Sequence, residues 1–456
     1  MHAQILDLRL SAKGIKPVRN GHPWVFRNAL HGPPVAAELE SALLRTILGP
    51  DALVWEHTRP AVVRDPSGVA IGWGIYNPTS RLALRMFSLG CDTLPLRSQL
   101  EHRIAAAISA RAPLFASDDH TAFRLVFGEA DAIPGLVADR YGDLVVAQYS
   151  GAFAWDNRAT IAAALVNALG EYGVDARVVE SIDAATLKKD GIAAGVNANG
   201  TDDATAGNSA LASPRGADKN AGGADEVSTA TIIENGLPWI INPAGGQKTG
   251  HYCDQRENRA ALARVAAALG GEGARGGKGA RILDCFTYHG GFALTALATG
   301  ATGAVCLDSS AAALERLREN AALQGVSERV ETIRGDAFEL LRSGGVGDHG
   351  LAEFDLIVLD PPKLVMQRRD IESGLRAYKD LNLNAMRAAR TGARIATFSC
   401  SGAVSRADFR RALSWAAKDA GRTVVIEGEF GQPADHPIPL HFPEAEYLTG
   451  FLLRIG

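Results

Sequence analysis

From about residue 231 onward, short apolar runs alternate with alanine- and leucine-rich stretches, and acidic residues stand where the apolar runs stop. Ile282-Leu283-Asp284, Ala304–Asp308, Val330–Ile333, Phe354–Asp360 and Arg394–Phe398 read as strands. Phe292–Ala298, Ala311–Ala322, Ala337–Leu341 and Tyr378–Arg390 read as the helices between them. Strands spaced by helices pair in parallel through crossovers, so this rhythm predicts an α/β domain with a mostly parallel sheet. Ligands of such sheets bind beyond the carboxyl ends of the strands. Asp284, Asp308, Asp336, Asp360 and Cys400 all fall at or just past those ends, which marks one edge of the expected sheet as the place to look for chemistry.

The rest of the 456-residue chain divides by composition. Residues 1–76 carry short strand-like segments at Ile5–Leu10, Leu53–Trp55, Val62–Arg64 and Val69–Tyr76, which predict a small β module. Residues 77–190 read as an α+β middle domain, with helices at Leu100–Ala112 and Arg158–Leu169 and strands at Phe123–Phe127 and Leu144–Tyr149. Residues 191–230 are rich in Gly, Ala, Asn, Ser and Asp. They lack the apolar content needed to offset the entropy of ordering, so a flexible insertion is expected there. The catalytic module is expected over 231–456.

Net charge is −4 overall, but residues 1–98 hold 11 Lys+Arg against 7 Asp+Glu. Within that excess, Lys16, Arg19, Trp24 and Arg27 interleave cations with an aromatic, a combination that suits phosphates and exposed bases. A plain β-module core holding Trp24 and Phe26 is the competing reading. Five cysteines at long separations fit neither a metal site nor a disulfide framework, so thiols in a reducing, cytoplasmic compartment are expected. No apolar run is long enough to cross a bilayer, and the N-terminus lacks the pattern of a signal peptide.

Asp284-Cys285-Phe286-Thr287-Tyr288-His289-Gly290-Gly291 is a strand-to-helix loop with paired glycines. It lacks the G-x-G-x-x-G spacing of a dinucleotide site and the G-K-S/T of a phosphate loop. A nucleoside ligand without a diphosphate fits better. Asp284 and the loop residues Phe286, Gly290 and Gly291 are candidates to hold it. Asp308 suits the ribose hydroxyls, Asp336 the adenine amine, and Pro361 rigid support. Each aspartate taken singly is equally well a helix cap. The ordered set favours S-adenosylmethionine, with an NAD-type dehydrogenase as the competitor.

With these residues in view, the chain resembles the bacterial S-adenosylmethionine-dependent methyltransferases of large-subunit (23S) ribosomal RNA that act on cytosine C5. The resemblance is carried by Arg19–Leu30, Gly72–Ser80, Leu125–Asp143, Gly246–Arg259, Ile282–Leu294, Phe354–Lys363, Phe398–Ser401 and Asp435–Leu448. It implies an N-terminal RNA-binding barrel of the PUA type, a middle domain and a Rossmann-like methyltransferase domain. His289 departs from the family's usual threonine but leaves the glycine pair intact. The resemblance implies Cys400 as nucleophile and Asp360 as its acidic partner. It also implies Lys248, Gln255, Arg256 and Lys363 as RNA contacts, with large-subunit ribosomal RNA as partner and no membrane. The middle domain offers a surface for a homodimer. A helix start just after Ser401 would favour the thiolate of Cys400. Methyl transfer to a guanine or an exocyclic amine, and an RNA-binding scaffold without catalysis, remain the alternative functions. The nucleotide modified and the base that takes the C5 proton are not encoded in any motif.

Overall fold

The computed structural model describes residues 4–182, 184–192, 229–243, 250–270 and 279–456. Lys248 and most of the 191–230 insertion lie outside the described residues. The chain forms two compact units. One comprises residues 1–230, 242–251 and 435–443; the other comprises residues 231–241, 252–434 and 444–456.

The first unit holds a six-stranded sheet in the order Trp24–Val25, Leu84–Leu89, Ala70–Tyr76, Arg59–Arg64, Leu6–Arg9, Val35–Ala36. Its second strand lies beyond residue 76. Two helices that the alternating pattern did not suggest interrupt it, Ala12–Arg19 and Ser41–Ile47. Ser11 starts the first of these: its Oγ accepts the Gly14 N–H at 3.2 Å, and the helix buries Val18 against the sheet. Leu53–Trp55 is not a strand, although Leu53 and Trp55 are buried in the core.

A four-stranded sheet follows, ordered Arg177–Ile182, Leu144–Tyr149, Leu136–Tyr141, Ala122–Phe127. Helices Arg97–Ser109 and Arg158–Gly170 belong with it, and residues of both sheets share one apolar core. Late chain segments complete this unit. The buried Arg111 guanidinium pairs with Asp131 at 2.7 and 2.9 Å and also donates to the Asp435 carbonyl at 2.7 Å. The Asp435 carboxylate accepts the Arg124 N–H at 2.8 Å. Phe442 stacks edge-on to Trp24 and His22, with ring centroids 4.8 and 5.7 Å away.

The second unit is built on a seven-stranded sheet. Its strands in chain order are β1 (Arg281–Cys285), β2 (Gly303–Asp308), β3 (Val330–Arg334), β4 (Leu356–Leu359), β5 (Arg394–Ser399), β6 (Val424–Phe430) and β7 (Thr449–Ile455). The spatial order is β3-β2-β1-β4-β5-β7-β6. The first five strands run parallel, and β7 enters antiparallel between β5 and β6. The parallel strands are Val-, Ile- and Leu-rich because helices cover both faces. Those helices are α1 (Arg256–Leu269), α2 (Gly291–Ala298), α3 (Ala311–Leu323), α4 (Ala337–Arg342), α5 (Ile371–Ala388) and α6 (Arg406–Ala420). The sheet order reverses at β1, where β2 departs on one side and β4 on the other. The crevice at such a reversal is where ligands of open α/β sheets bind.

Candidate active site

The loop after β1 is held in an uncommon backbone conformation. Phe286 and Tyr288 have φ of 61° and 53°, and Gly290 has φ of 90°. Side-chain-bearing residues seldom occupy this region, and where they do the surrounding structure must enforce it. Here the enforcement is visible. The Tyr288 N–H donates to Asp308 Oδ2 at 2.9 Å, and Thr287 Oγ1 donates to Asp284 Oδ2 at 2.7 Å. Gly290 leaves no room for a Cβ, which would sit 2.9 Å from Leu317 and 3.0 Å from Leu294. Gly291 serves a neighbour: a Cβ there would meet Arg259 Nε at 2.5 Å. The paired glycines thus make room for side chains as well as for a ligand.

Asp284 is fully buried at the reversal point of the sheet. Its Oδ2 also accepts the Ala293 N–H at 3.2 Å, while its Oδ1 is buried without a hydrogen-bond partner among the described residues. Burial pushes its carboxyl up to about 6, against the pull of Thr287, Ala293 and Arg259. A buried carboxylate oxygen left without a donor is a place for the donor of a ligand. Asp308 ends β2 and accepts N–H groups from Tyr288 and Ser310 at 2.9 and 2.8 Å. Asp336 caps α4, accepting from Phe338 and Glu339, and the Phe286 and Phe338 rings meet edge-on 5.9 Å apart. Asp284, Phe286, Gly290, Asp308 and Asp336 therefore gather along one sheet edge, with an aromatic pair beside the acid at β3. Acids for amine and hydroxyl donors, together with an apolar wall, fit S-adenosylmethionine.

Asp360 and Cys400 follow β4 and β5, which are adjacent and in register with Leu359 opposite Thr397. Cys400 Sγ lies 3.9 Å from the Pro361 carbonyl, placing the thiol beside the Asp360-Pro361 step. Pro361 is buried, and Lys363, two residues on, is exposed. Of the four cysteines in this unit, Cys253, Cys285 and Cys306 are buried and Cys400 is partly accessible. Burial pushes the Cys285 and Cys306 thiols well up, so neither forms a thiolate readily. Two buried serines flank Cys400. Ser401 Oγ accepts the Val365 N–H at 3.2 Å and lies 3.2 Å from the Tyr378 hydroxyl. No helix starts just after Ser401; α6 begins at Arg406, capped by Ser405 Oγ on the Asp408 N–H at 3.1 Å. A helix dipole at Ser401 is therefore not what tunes Cys400.

Asp360 sits among charges. Burial pushes its carboxyl up to about 7, and the charges of Asp254 and Asp284 add to the rise. Arg259 and a hydrogen bond from Gln255 Nε2 at 3.0 Å oppose it. Tyr252 is pushed up to about 12 by burial and by Asp360, Asp254, Cys400 and Asp308, so its hydroxyl stays protonated.

The residues expected to touch RNA are placed unevenly. Lys16 and Arg19 are exposed on the first unit, with Arg19 donating to Asp65 at 2.8 Å. Trp24 is half-buried and donates to Glu129 at 3.0 Å. Arg27 is exposed, yet its guanidinium donates to the carbonyls of Asn77, Pro78 and Ser80 and to the Tyr76 hydroxyl. Gln255 and Arg256 are 3 % and 2 % exposed in the chain, unlike the exposed phosphate contacts expected of them. Cys253–Gln255 forms a 3-10 turn that passes into α1. Reasoning from the sequence missed Asn258, Ser401 and Tyr378. The polar spacing Gln255, Asn258, Arg259 was the available hint for Asn258.

Glu56, His57 and Asp156 of the first unit come within ligating distance of one another. The Asp156 oxygens already accept from the His57 N–H, the His57 ring and the Thr58 hydroxyl, which accounts for the cluster structurally.

Comparison with known proteins agrees with this geometry. A family profile for S-adenosylmethionine-dependent methyltransferases matches residues 214–378, and a PUA-like domain profile matches residues 8–89. A ribosomal RNA large subunit methyltransferase I of Klebsiella pneumoniae (strain 342) is 33% identical over 392 residues, covering 86% of this chain and 88% of that protein. Its counterpart in Salmonella gallinarum is 32% identical over 452 residues, covering 98% and 97%. Among solved structures, a protein described as a methyltransferase in complex with SAH superposes with TM-score 0.73 at 15% identity, covering 99% of this chain and 100% of that one. At that identity the likeness speaks for the fold alone. No helix among the described residues is long and apolar enough to cross a membrane.

Proposed function

The chain belongs to the ribosomal RNA large subunit methyltransferase I family and is an S-adenosylmethionine-dependent methyltransferase, and on that footing we propose that it methylates C5 of a cytosine in large-subunit (23S) ribosomal RNA through a covalent adduct at Cys400. The observation that carries the reading is the position of the partly accessible Cys400 thiol, 3.9 Å from the Pro361 carbonyl in the residue that follows Asp360.

Cytosine C5 is a poor nucleophile. The Cys400 thiolate adds to C6, forming an S–C bond and breaking the C5=C6 double bond. Asp360, with its carboxyl near 7, donates a proton to N3 as negative charge develops there. S-adenosylmethionine, when bound, supplies the electrophilic methyl group that C5 takes. Loss of the C5 proton to a base, with return of the N3 proton to Asp360, re-forms C5=C6 and expels the Cys400 thiolate. Tyr252, pushed up to about 12, keeps its proton and is not that base. Asp284, Asp308, Asp336, Phe286 and the Gly290 turn hold the cofactor. Exposed Lys16, Arg19 and Lys363 contribute to RNA binding.

The test is C400A, assayed with large-subunit RNA from a strain lacking the enzyme. The reading requires loss of methyl incorporation with S-adenosylmethionine binding retained by calorimetry, and 5-methylcytosine as the wild-type product. Incorporation at the wild-type rate by C400A, or a different methylated base, sinks it.

A further inference from the structure

We propose that Gln255, held in one orientation by Asn258, is a positioning residue that fixes Asp360 so that Oδ2 accepts a hydrogen bond and Oδ1 carries the proton delivered to N3 of the base. This rests on the reading of Asp360 as the acid. Gln255 Nε2 lies 3.0 Å from Asp360 Oδ2, and Asn258 Nδ2 lies 2.6 Å from Gln255 Oε1 and 2.9 Å from the Gly431 carbonyl.

The direction of this chain follows from its far end. The Gly431 carbonyl can only accept, so the Asn258 group facing it is the NH2. That NH2 also meets Gln255, which must therefore present its oxygen to Asn258 and its own NH2 to Asp360. Reversing the Gln255 amide would set two NH2 groups against each other and an oxygen against a carboxyl. All three residues lie in the same unit; Gln255 and Asn258 are 3 % and 4 % exposed and their mutual bond is buried, while Asp360 is half-buried at the accessible end of the relay.

An N–H donor on Oδ2 disfavours a proton on that oxygen and leaves Oδ1 as the protonated one. Cytosine N3 has a lone pair to receive such a proton, whereas uracil N3 already bears hydrogen. The relay thus selects cytosine over uracil as well as orienting the acid. Burial, Asp254 and Asp284 push the Asp360 titration up, Arg259 and the Gln255 bond hold it down, and Tyr252 faces Asp360. Removing the donor moves the titration of Asp360 to higher pH.

The experiment is steady-state kinetics of the full chain across pH, with S-adenosylmethionine and large-subunit RNA lacking the modification, for Q255L, N258L and D360N. N258L removes the donor that orients Gln255 without adding a charge, and lets its amide turn over. Both relay variants are expected to lose about ten- to a hundred-fold in kcat, with little change in KM for S-adenosylmethionine. The limb of the pH profile near 7 is expected to move to higher pH, which a merely structural role would not cause. Wild-type kcat and an unmoved limb in both variants overturn the proposal. If Q255L fails to fold by thermal melting, N258L decides. An inactive D360N beside wild-type-like relay variants removes this inference alone. A D360N as active as wild type removes the reading of Asp360 on which it stands.

Discussion

Ser401 Oγ accepts a hydrogen bond from the backbone N–H of Val365 at 3.2 Å. This single bond ties the segment after β5, which bears Cys400, to the segment after β4, which bears Asp360. The Tyr378 hydroxyl of α5, 3.2 Å from the same oxygen, clamps the junction from below. The segments that bear Cys400 and Asp360 are thereby fixed to each other by something other than the sheet.

Ser401→Ala therefore carries a cost in both stability and rate. It leaves the buried Val365 N–H short of a partner, worth about 1–3 kcal/mol, while the Tyr378 hydroxyl keeps Ser399 and Leu364. Chemical denaturation should show a lower midpoint. The kcat should fall while KM for S-adenosylmethionine holds, because Asp284, Asp308 and Asp336 are untouched.

Thiol chemistry should separate the cysteines. Cys91 is exposed and Cys400 partly accessible, whereas Cys253, Cys285 and Cys306 are buried. Brief alkylation of the native chain followed by peptide mass spectrometry should find label on Cys91 and Cys400 first, and S-adenosylmethionine should slow labelling at Cys400 only. Early label on Cys285 would contradict the described burial.

Stability should depend on pH through Asp360. Its carboxyl rises from the ordinary 3.8 to about 7 on folding. The folded state therefore binds this proton more tightly than the unfolded state between those values, and its contribution to stability is lost as pH rises from about 4 to about 7. Asp284, pushed up to about 6, acts in the same sense. D360N should thus melt higher than wild type at pH 8 and match it near pH 4, with a shift of about 2–4 °C for each kcal/mol regained. An equal shift at both pH values would mean that the carboxyl does not titrate as described.

Gly290→Ala tests the cofactor loop. At φ of 90°, with Leu317 and Leu294 within 3.0 Å of the new methyl, the substitution is strained by both conformation and space. A loss of about 1–2 kcal/mol in stability follows from the backbone alone, and calorimetry should show weaker S-adenosylmethionine binding. Unchanged binding would remove the loop from the cofactor site.

The sequence was most legible where one rule governed. The β–α rhythm after residue 231 needed only hydrophobic period, and all five parallel strands lie where that period places them. The strand-end acids were legible because sheet topology puts such positions at the ligand crevice. Burial of charge was not. Arg256 sits in a cluster that reads as basic and exposed, yet tertiary packing encloses it. Arg27 looks available to phosphate until three backbone carbonyls claim its guanidinium. Helix α5 starts at Ile371, several residues before Tyr378, because Leu375 is buried one turn ahead of Tyr378 on the side that packs. Asn258 was invisible for a different reason: a helical asparagine has meaning only once its partners, Gln255 and the distant Gly431 carbonyl, are known.

The route of the chain has a consequence for synthesis. The N-terminal unit closes over residues 435–443, with Arg111 and Arg124 bound to Asp435 and with Trp24 against Phe442. On a ribosome these partners emerge hundreds of residues apart. Those groups must therefore wait unmatched until residues 435–443 have been made, so this unit cannot finish folding before most of the methyltransferase unit has been synthesised.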